Sequence, residues 1–299
     1  DETMNQREYA ARRIYSALEI PMNGDESVNH ENLRRLVEYE LKEGVEGFYC
    51  SGSSGEGLLL TLKERKEVLE TVVDQVNGRV PVIPQIGTIR TRDVIELAEH
   101  AAGLGLQMAS MIPPYYYKFS MEEITGYYRD VLEAVPELGI IVYNIPQFTG
   151  IEFDKENAFE LLSMPGIVGV KHTSHNLYSL ERMKAAFPDL ILFNGFDEQF
   201  AGSLAMGADA AIGTTVNVFA PLFRKVRSLM EAGDMAGALE CQKEINRRVE
   251  IMCRYGIFNA VKYILTKRGI DCGTCRKPFG KLGEEAKRAL DSIAESVME

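Results

Sequence analysis

Short apolar runs alternate with amphipathic stretches along most of the chain. Eight runs predict strands, and each is followed by a stretch whose apolar positions recur at helical spacing. The predicted strands cover residues 13–18, 47–50, 80–85, 108–111, 140–143, 167–170, 190–193 and 210–213. The helical patterns cover residues 29–43 and begin near Thr61, Thr91, Ser120, Asp154, Leu177, Glu198 and Ala220.

This alternation of strands and helices, at a repeat of roughly 20 to 35 residues, predicts an α/β fold, a TIM (β/α)8 barrel over residues 1–230. A doubly wound open sheet is the alternative, but it calls for a phosphate-type glycine turn after the first strand, which the sequence lacks. After residue 231 the strand-like runs cease. Three helices are predicted at residues 234–253, 258–268 and 284–297, so that residues 231–299 form a C-terminal helical region.

A single lysine, Lys171, follows the apolar run Ile167-Val168-Gly169-Val170. The run shows no alternation with polar residues, which predicts a parallel strand that is buried on both faces. Burial disfavours the ammonium form, so the free amine can attack a carbonyl and form a Schiff base. On these residues alone, a lysine that ends a strand and reaches for solvent is the commoner arrangement. The choice between a Schiff-base lysine and a solvent-exposed lysine therefore depends on residues elsewhere in the chain.

Polar residues follow several predicted strands, and in a barrel the carboxyl ends of the strands converge on one face. Ser53 and Ser54 lie in a glycine-flanked loop whose N–H groups and hydroxyls suit a carboxylate, although a tight turn of small residues is the alternative. Tyr143 ends strand five. If strands five and six are neighbours, Tyr143 can relay a proton beside Lys171, and its alternative role is an aromatic cap on the core.

Composition limits the possible partners. The net charge is −11 and the sequence pI is about 5.1, without a dense Lys/Arg cluster, which argues against a nucleic-acid partner. No apolar stretch approaches the ~18 residues that a membrane span requires, and residues 1–8 are polar. We therefore expect a cytoplasmic protein with no signal peptide and no membrane partner.

Cysteine and histidine spacing gives little support for a metal site. The five cysteines are an odd number in a long chain, so reduced thiols are expected. Cys272 and Cys275 form a C-x-x-C without a second pair, and His172 and His175 form an H-x-x-H without a third ligand nearby. We predict that neither a metal nor an organic cofactor is needed.

Four motifs together resemble the pyruvate-dependent class I aldolases and synthases, the family that includes N-acetylneuraminate lyase and dihydrodipicolinate synthase. The motifs are Gly52-Ser53-Ser54-Gly55-Glu56, Tyr143-Asn144-Ile145-Pro146 with Thr149-Gly150, Gly169-Val170-Lys171, and Cys275-Arg276-Lys277-Pro278-Phe279-Gly280. The resemblance covers almost the whole chain. It departs from the family pattern at Ser54, where threonine is common, and at Leu18-Glu19-Ile20-Pro21, which differs from the usual Thr-Pro start.

The resemblance implies a TIM barrel with a helical C-terminal region, usually assembled as a homotetramer. It implies that Lys171 forms the Schiff base and that Tyr143 relays protons. It further implies that Ser53 and Ser54 hold the carboxylate of pyruvate, and that Tyr116 completes the active site of a neighbouring subunit.

The second substrate distinguishes the branches of this family. The synthases place an arginine in the Tyr-Asn-x-Pro-x-x-Thr-Gly segment to bind a second carboxylate, and here the middle residues are Gln147 and Phe148. The segment after strand seven resembles the lyase segment that binds a polyhydroxylated chain, because Asp197 and Glu198 accept hydrogen bonds from hydroxyls and repel a carboxylate. The residues predicted to orient the sugar chain are Thr173, Gly195, Asp197, Glu198 and Thr214.

Three hypotheses follow from these observations. The first is an aldolase that cleaves a sialic acid or a related keto-sugar acid to pyruvate and an amino sugar. The second is a dihydrodipicolinate synthase or keto-sugar-acid dehydratase that uses the same lysine. The third is a barrel that has lost catalysis and binds a keto acid as a sensor, which the presence of both Lys171 and Tyr143 disfavours.

Overall fold

The computed structural model of the chain describes residues 10–295, so the polar segment 1–8 and the last predicted helical residues, 296 and 297, lie outside the described residues. The strands are β1 Ile14–Ala17, β2 Gly47–Cys50, β3 Val82–Pro84, β4 Met108–Met111, β5 Gly139–Asn144, β6 Ile167–His172, β7 Ile191–Asn194 and β8 Ala210–Gly213. The helices are α1 His30–Lys42, α2 Leu62–Val76, α3 Thr91–Gly103, α4 Met121–Ala134, α5 Pro146–Thr149, α6 Phe159–Leu162, α7 Leu177–Ala186, α8 Phe200–Ala205, α9 Val216–Glu231, α10 Met235–Tyr255, α11 Ile257–Lys267 and α12 Glu284–Glu295.

The eight strands alternate with helices, and the pairs β1–β2, β4–β5, β5–β6, β6–β7 and β7–β8 all run parallel. The three helices α10, α11 and α12 follow the last strand. The predicted TIM barrel with C-terminal helices is therefore confirmed, and the doubly wound alternative is wrong.

The chain divides into two compact units. Among the described residues, unit 1 comprises Pro81–Ile212 with residues 10–13, and unit 2 comprises Ile14–Val80 with residues 213–295. The predicted division into a barrel over residues 1–230 and a helical region over residues 231–299 remains a prediction.

Unit 1 contains the parallel strands that precede and carry Lys171. Neighbouring strands pair in sequence order, with Met108 opposite Gly139 and Lys171 opposite Phe193, and the register shifts once, between Ile140 and Ile141. Strands β4, β5 and β7 are buried along their whole length, as parallel strands covered on both faces are. Ser120 begins α4 with a capping box, because its side chain and that of Glu123 each bind the other's backbone N–H.

Unit 2 contains strands β1 and β2, with Tyr15 opposite Gly47. Thr61 forms a capping box with Glu64 at the start of α2, which confirms that a helix begins near Thr61. The C-terminal helices are joined by side-chain hydrogen bonds, such as the one from the Tyr263 hydroxyl to Asp291, 2.6 Å long. This unit also carries a fully buried ion pair, which is described below.

Three helix predictions need correction. A helix near Asp154 is replaced by a turn, because the Asp154 carboxylate accepts from the N–H groups of Glu156 and Asn157, and only the short α6 follows. The segment at Glu198 is a 3-10 helix, Asp197–Gln199, that leads into α8. Helix α9 begins at Val216, before the predicted residue 220, and is interrupted at Phe219, close to Pro221.

No helix among residues 10–295 is both long enough and apolar enough to cross a membrane.

Candidate active site

Lys171 lies inside strand β6, which continues through His172 and so runs past the predicted end at residue 170. Its side chain is 4% exposed. On one side it pairs in register with Tyr143 of β5, and on the other side with Phe193 of β7. The condition set for Tyr143, that strands five and six be neighbours, is thereby confirmed.

The environment of Lys171 favours the neutral amine. Burial lowers the pKa of this lysine from its ordinary value, and the charge and hydrogen bond of Tyr143, followed by the charge of Asp197, oppose that decrease. The nitrogen lies 3.9 Å from the centroid of the Tyr143 ring. A larger fraction of this amine is therefore unprotonated, and able to attack a carbonyl, than in a lysine exposed to water.

Tyr143 is 2% exposed and occupies the strand position next to Lys171. Its ring covers the amine, and its hydroxyl hydrogen bonds with the lysine side chain. A phenol in this position can exchange a proton with the amine or with a group bound to it.

Asn144 and His172, one residue beyond this pair, are buried and joined by a hydrogen bond, a contact that the sequence did not reveal. The Asn144 side-chain amide lies 3.2 Å from Nδ1 of His172, and Nε2 of His172 lies 2.9 Å from the carbonyl oxygen of Asn176. If Nε2 donates to the carbonyl, Nδ1 accepts from the amide, so the neutral ring satisfies both contacts. Burial lowers the pKa of His172, in agreement with a neutral ring. The position of Asn144 and His172 directly after Tyr143 and Lys171 is the signal that could have found them.

The segment after β7 approaches the segment after β6 very closely. A Cβ atom at Gly195 would lie 1.9 Å from the Thr173 hydroxyl, so only glycine fits at this position. Thr173 is 4% exposed, and its hydroxyl has no hydrogen-bond partner among the described residues. A buried hydroxyl without a protein partner is typical of a group that binds a ligand or an ordered water.

Asp197 and Glu198 differ in their surroundings although they are adjacent in sequence. Asp197 is 6% exposed and its charge acts on Lys171. Glu198 is about one-third exposed, and its carboxylate lies 3.6 Å from Nε2 of His175. The His175 ring stacks on Phe196, with the ring centroids 4.4 Å apart. The two carboxylates therefore differ in burial and in the groups that they contact or influence. The sequence did not predict this difference.

Ser53, Ser54 and Thr214 belong to unit 2. The Ser54 hydroxyl lies 2.6 Å from the Thr214 hydroxyl, and Ser54 is 3% exposed, whereas Ser53 and Thr214 are partly exposed. The structure thus brings Ser54 and Thr214 into contact. The sequence analysis assigned Ser54 to the carboxylate and Thr214 to the sugar chain.

The ring of Tyr116 is 87% exposed, and its backbone adopts a left-handed conformation, with φ 75°. Its ring packs edge to face against Tyr117, with the ring centroids 5.1 Å apart. A large exposed aromatic side chain held in a strained backbone conformation is a common feature of a binding surface.

Gln147 and Phe148 lie in the short helix α5, which follows Tyr143 and Asn144. Phe148 is 64% exposed. The segment ends at Gly150, whose φ of 73° is suited to glycine.

Within residues 10–295, His, Cys, Asp and Glu side chains form no group of three or more that could hold a metal ion. All five cysteines are free thiols, and burial raises the pKa of Cys272 and Cys275.

Comparison with known proteins places the chain in a family. The dihydrodipicolinate synthetase family model matches residues 10–297. The chain is 40% identical over 285 residues to N-acetylneuraminate lyase of Rhizobium meliloti, a match that covers 95% of each chain.

Two solved structures are similar along nearly the whole chain. The structure of CdNal from Clostridium difficile in complex with mannosamine has a TM-score of 0.92 and 32% identity, and the match covers 95% of this chain and 98% of that one. N-acetylneuraminate lyase from Fusobacterium nucleatum has a TM-score of 0.91 and 33% identity, with 97% and 99% covered. Because the similarity covers nearly the whole chain in sequence as well as in fold, the chain belongs to the dihydrodipicolinate synthetase family.

Proposed function

We propose that the protein is an N-acetylneuraminate lyase, a class I aldolase that cleaves N-acetylneuraminate to N-acetylmannosamine and pyruvate. The observation that carries the proposal is Lys171, a buried amine with a lowered pKa that pairs in register with Tyr143. The similarity to curated and solved N-acetylneuraminate lyases supports the same activity.

The reaction begins when the Lys171 amine attacks the 2-keto carbon of the sugar acid. Loss of water gives a protonated imine, which serves as the electron sink. A base takes the proton of the C4 hydroxyl, the C3–C4 bond breaks, and its electrons pass into the imine to form an enamine. The enamine is protonated at C3, and water hydrolyses the resulting imine to release pyruvate and the free amine. The water lost in the first stage is regained in the last.

Tyr143 is the proton carrier in this proposal, since its side chain contacts the Lys171 nitrogen. Tyr116 is assigned to the active site of a neighbouring subunit. That assignment requires an oligomer, for which a homotetramer is proposed, and it is supported by the high exposure of the Tyr116 ring.

The binding roles follow the chemistry of the side chains. The hydroxyls of Ser53 and Ser54 hold the carboxylate of the keto acid, with Thr214 fixing the Ser54 hydroxyl. Thr173, Gly195, Asp197, Glu198 and Thr214 orient the hydroxylated chain of the sugar. The Thr173 hydroxyl, which has no hydrogen-bond partner among residues 10–295, supports this role. The mannosamine bound by CdNal is a related amino sugar. No metal and no organic cofactor takes part, and we place the reaction in the cytoplasm.

A coupled assay tests the proposal. The purified protein is incubated with N-acetylneuraminate, and released pyruvate is measured with lactate dehydrogenase and NADH. We expect steady pyruvate release, and no condensation of pyruvate with aspartate semialdehyde, because Gln147 stands where the synthases have arginine. Condensation without cleavage would establish the synthase instead. Neither reaction, with pyruvate still bound, would establish a sensor.

A further inference from the structure

Glu56 closes the loop that contains Ser53 and Ser54. We call residues 51–57 the Ser-Ser loop. Glu56 adopts a left-handed backbone conformation, with φ 53°, and is 3% exposed. Its N–H donates to the carbonyl of Ser53, and the N–H of Gly57 donates to that of Gly52. The conformation of Glu56 is therefore linked directly to that of the two serines.

Lys262 of α11 holds the Glu56 side chain. Its nitrogen donates to one carboxylate oxygen at 2.6 Å, and both side chains are completely buried. The other carboxylate oxygen accepts from the backbone N–H of Arg276, also at 2.6 Å. Both oxygens of Glu56 are thus fixed by parts of the chain that lie more than 200 residues away in sequence.

A buried ion pair of this kind is a poor source of stability. Removing two charges from water costs about as much as their attraction returns, and apolar residues of similar volume often stabilise a protein as well or better. Buried ion pairs are best attested as devices that select one arrangement of the chain. The arrangement selected here is that of the Ser-Ser loop.

Glu19 is a third ionisable residue, and it interacts electrostatically with both members of this pair. It is completely buried, and neither of its carboxylate oxygens has a hydrogen-bond partner among residues 10–295. Burial raises the pKa of Glu19 well above its ordinary value, Lys262 lowers it, and Glu56 and Glu40 raise it further. The same charges also act on the thiols of Cys50, Cys272 and Cys275, on Tyr39 and on Arg276.

We propose that Lys262 is a positioning residue that acts on the keto-acid carboxylate through Glu56 and the Ser-Ser loop, and that Glu19 makes this action dependent on pH. The inference rests on the proposed function, since it assigns the Ser-Ser loop to the carboxylate of pyruvate. Below its raised pKa, Glu19 is a neutral acid, so Lys262 forms its ion pair with Glu56 without competition from Glu19. As the pH rises and Glu19 ionises, it competes for the Lys262 ammonium and loosens the loop.

Pyruvate trapping with cyanoborohydride tests the inference, with the pyruvate concentration for half-maximal trapping as the readout. As the pH increases through the raised pKa of Glu19, this concentration should rise in the wild type. In Glu19→Gln the rise is absent, because the amide cannot ionise. A rise of equal size in both proteins overturns the role of Glu19.

A charge-neutral double variant tests Lys262 itself. Lys262→Met alone leaves Glu56 buried without its cation, so Lys262→Met is combined with Glu56→Gln. At pH 7 we expect half-maximal trapping to need roughly tenfold more pyruvate, the effect of one lost hydrogen bond, while the trapping level at saturation stays near that of the wild type. A folded double variant with the half-saturation of the wild type overturns the role of Lys262.

The outcomes separate this inference from the proposed function. If the wild type traps no pyruvate, both fail together. If it traps pyruvate and cleaves N-acetylneuraminate but the variants match it, the positioning role alone fails. If circular dichroism shows the double variant to be unfolded, the comparison of wild type with Glu19→Gln still decides, because the proposed pH dependence acts through Lys262. Identical pH profiles then overturn the proposal that the two residues act together on the Ser-Ser loop.

Discussion

Lys171 and Lys262 are both buried, at 4% and 0% exposure, but their neighbours differ. Lys262 donates to the Glu56 carboxylate at 2.6 Å. Lys171 faces an aromatic ring, and the negative charge of Asp197 influences it less than burial and Tyr143 do. A carboxylate in direct contact stabilises an ammonium, whereas burial, which outweighs the opposing influence of Tyr143, favours the neutral amine of Lys171.

This comparison shows that burial alone does not make a lysine a nucleophile. The partner decides whether a buried lysine is used as a cation or as an amine. In this chain the amine belongs to unit 1 and the cation to unit 2, where it is joined to a loop rather than to a reacting atom.

The largest expected effect is the loss of the amine. Lys171→Ala should reduce cleavage of N-acetylneuraminate to background, because no imine can form without the nucleophile. Pyruvate release measured by the coupled assay gives the result. Lys63→Ala, at a lysine whose side chain is 86% exposed, is the matched control and should keep wild-type activity. Substantial turnover by Lys171→Ala would remove Lys171 from the mechanism.

The next effect concerns the phenol that distinguishes the two lysines. Tyr143→Phe keeps the ring over the amine but removes the hydroxyl, so kcat should fall by roughly 10²-fold or more, as for a lost general acid-base group. Pyruvate trapping should persist in this variant. Steady-state kinetics with near-normal kcat would reduce Tyr143 to a packing residue.

A smaller effect is expected at the partly exposed carboxylate. Glu198→Gln weakens hydrogen bonds to sugar hydroxyls, and a lost bond to a charged acceptor costs about 1.5 to 3 kcal/mol, so kcat/KM for the sugar acid should fall roughly ten- to two-hundred-fold. Pyruvate is too short to reach this group, so its trapping should remain nearly unchanged. Equal losses in the two assays would mean that the segment after β7, which carries Glu198, has only a structural role.

The smallest effect is a shift in pH dependence. The charge of Asp197 raises the pKa of Lys171, so Asp197→Asn should lower that pKa further. Imine formation increases with pH as the ammonium loses its proton, and the rise should therefore move to lower pH in the variant. Trapping rates measured over a pH series provide the test, with Glu198→Gln as the control. A shift to higher pH would contradict the electrostatic account of Lys171.

Sequence patterns were sufficient for the fold and for the Lys171–Tyr143 pair. Apolar runs at regular spacing predict parallel strands, and a barrel places consecutive strands side by side, which brings these two residues together. Helical patterns also located the helix starts near Thr61 and Ser120, where the structure has capping boxes between residues only three apart.

The remaining features depend on contacts that no local pattern encodes. The pairing of Lys262 with Glu56 joins residues 206 positions apart. The contact of Ser54 with Thr214 joins residues 160 positions apart, and the approach of Gly195 to Thr173 requires the exact path of two loops. The different settings of Asp197 and Glu198 likewise arise from packing, since the two residues are adjacent in the chain.

Mapping the trapped adduct tests the central claim most directly. The protein is incubated with pyruvate, reduced with borohydride, digested, and examined by peptide mass spectrometry. The account predicts a three-carbon fragment on the peptide that contains Lys171 and none on the peptide that contains Lys262. A fragment on Lys262, or an unlabelled Lys171, would contradict it.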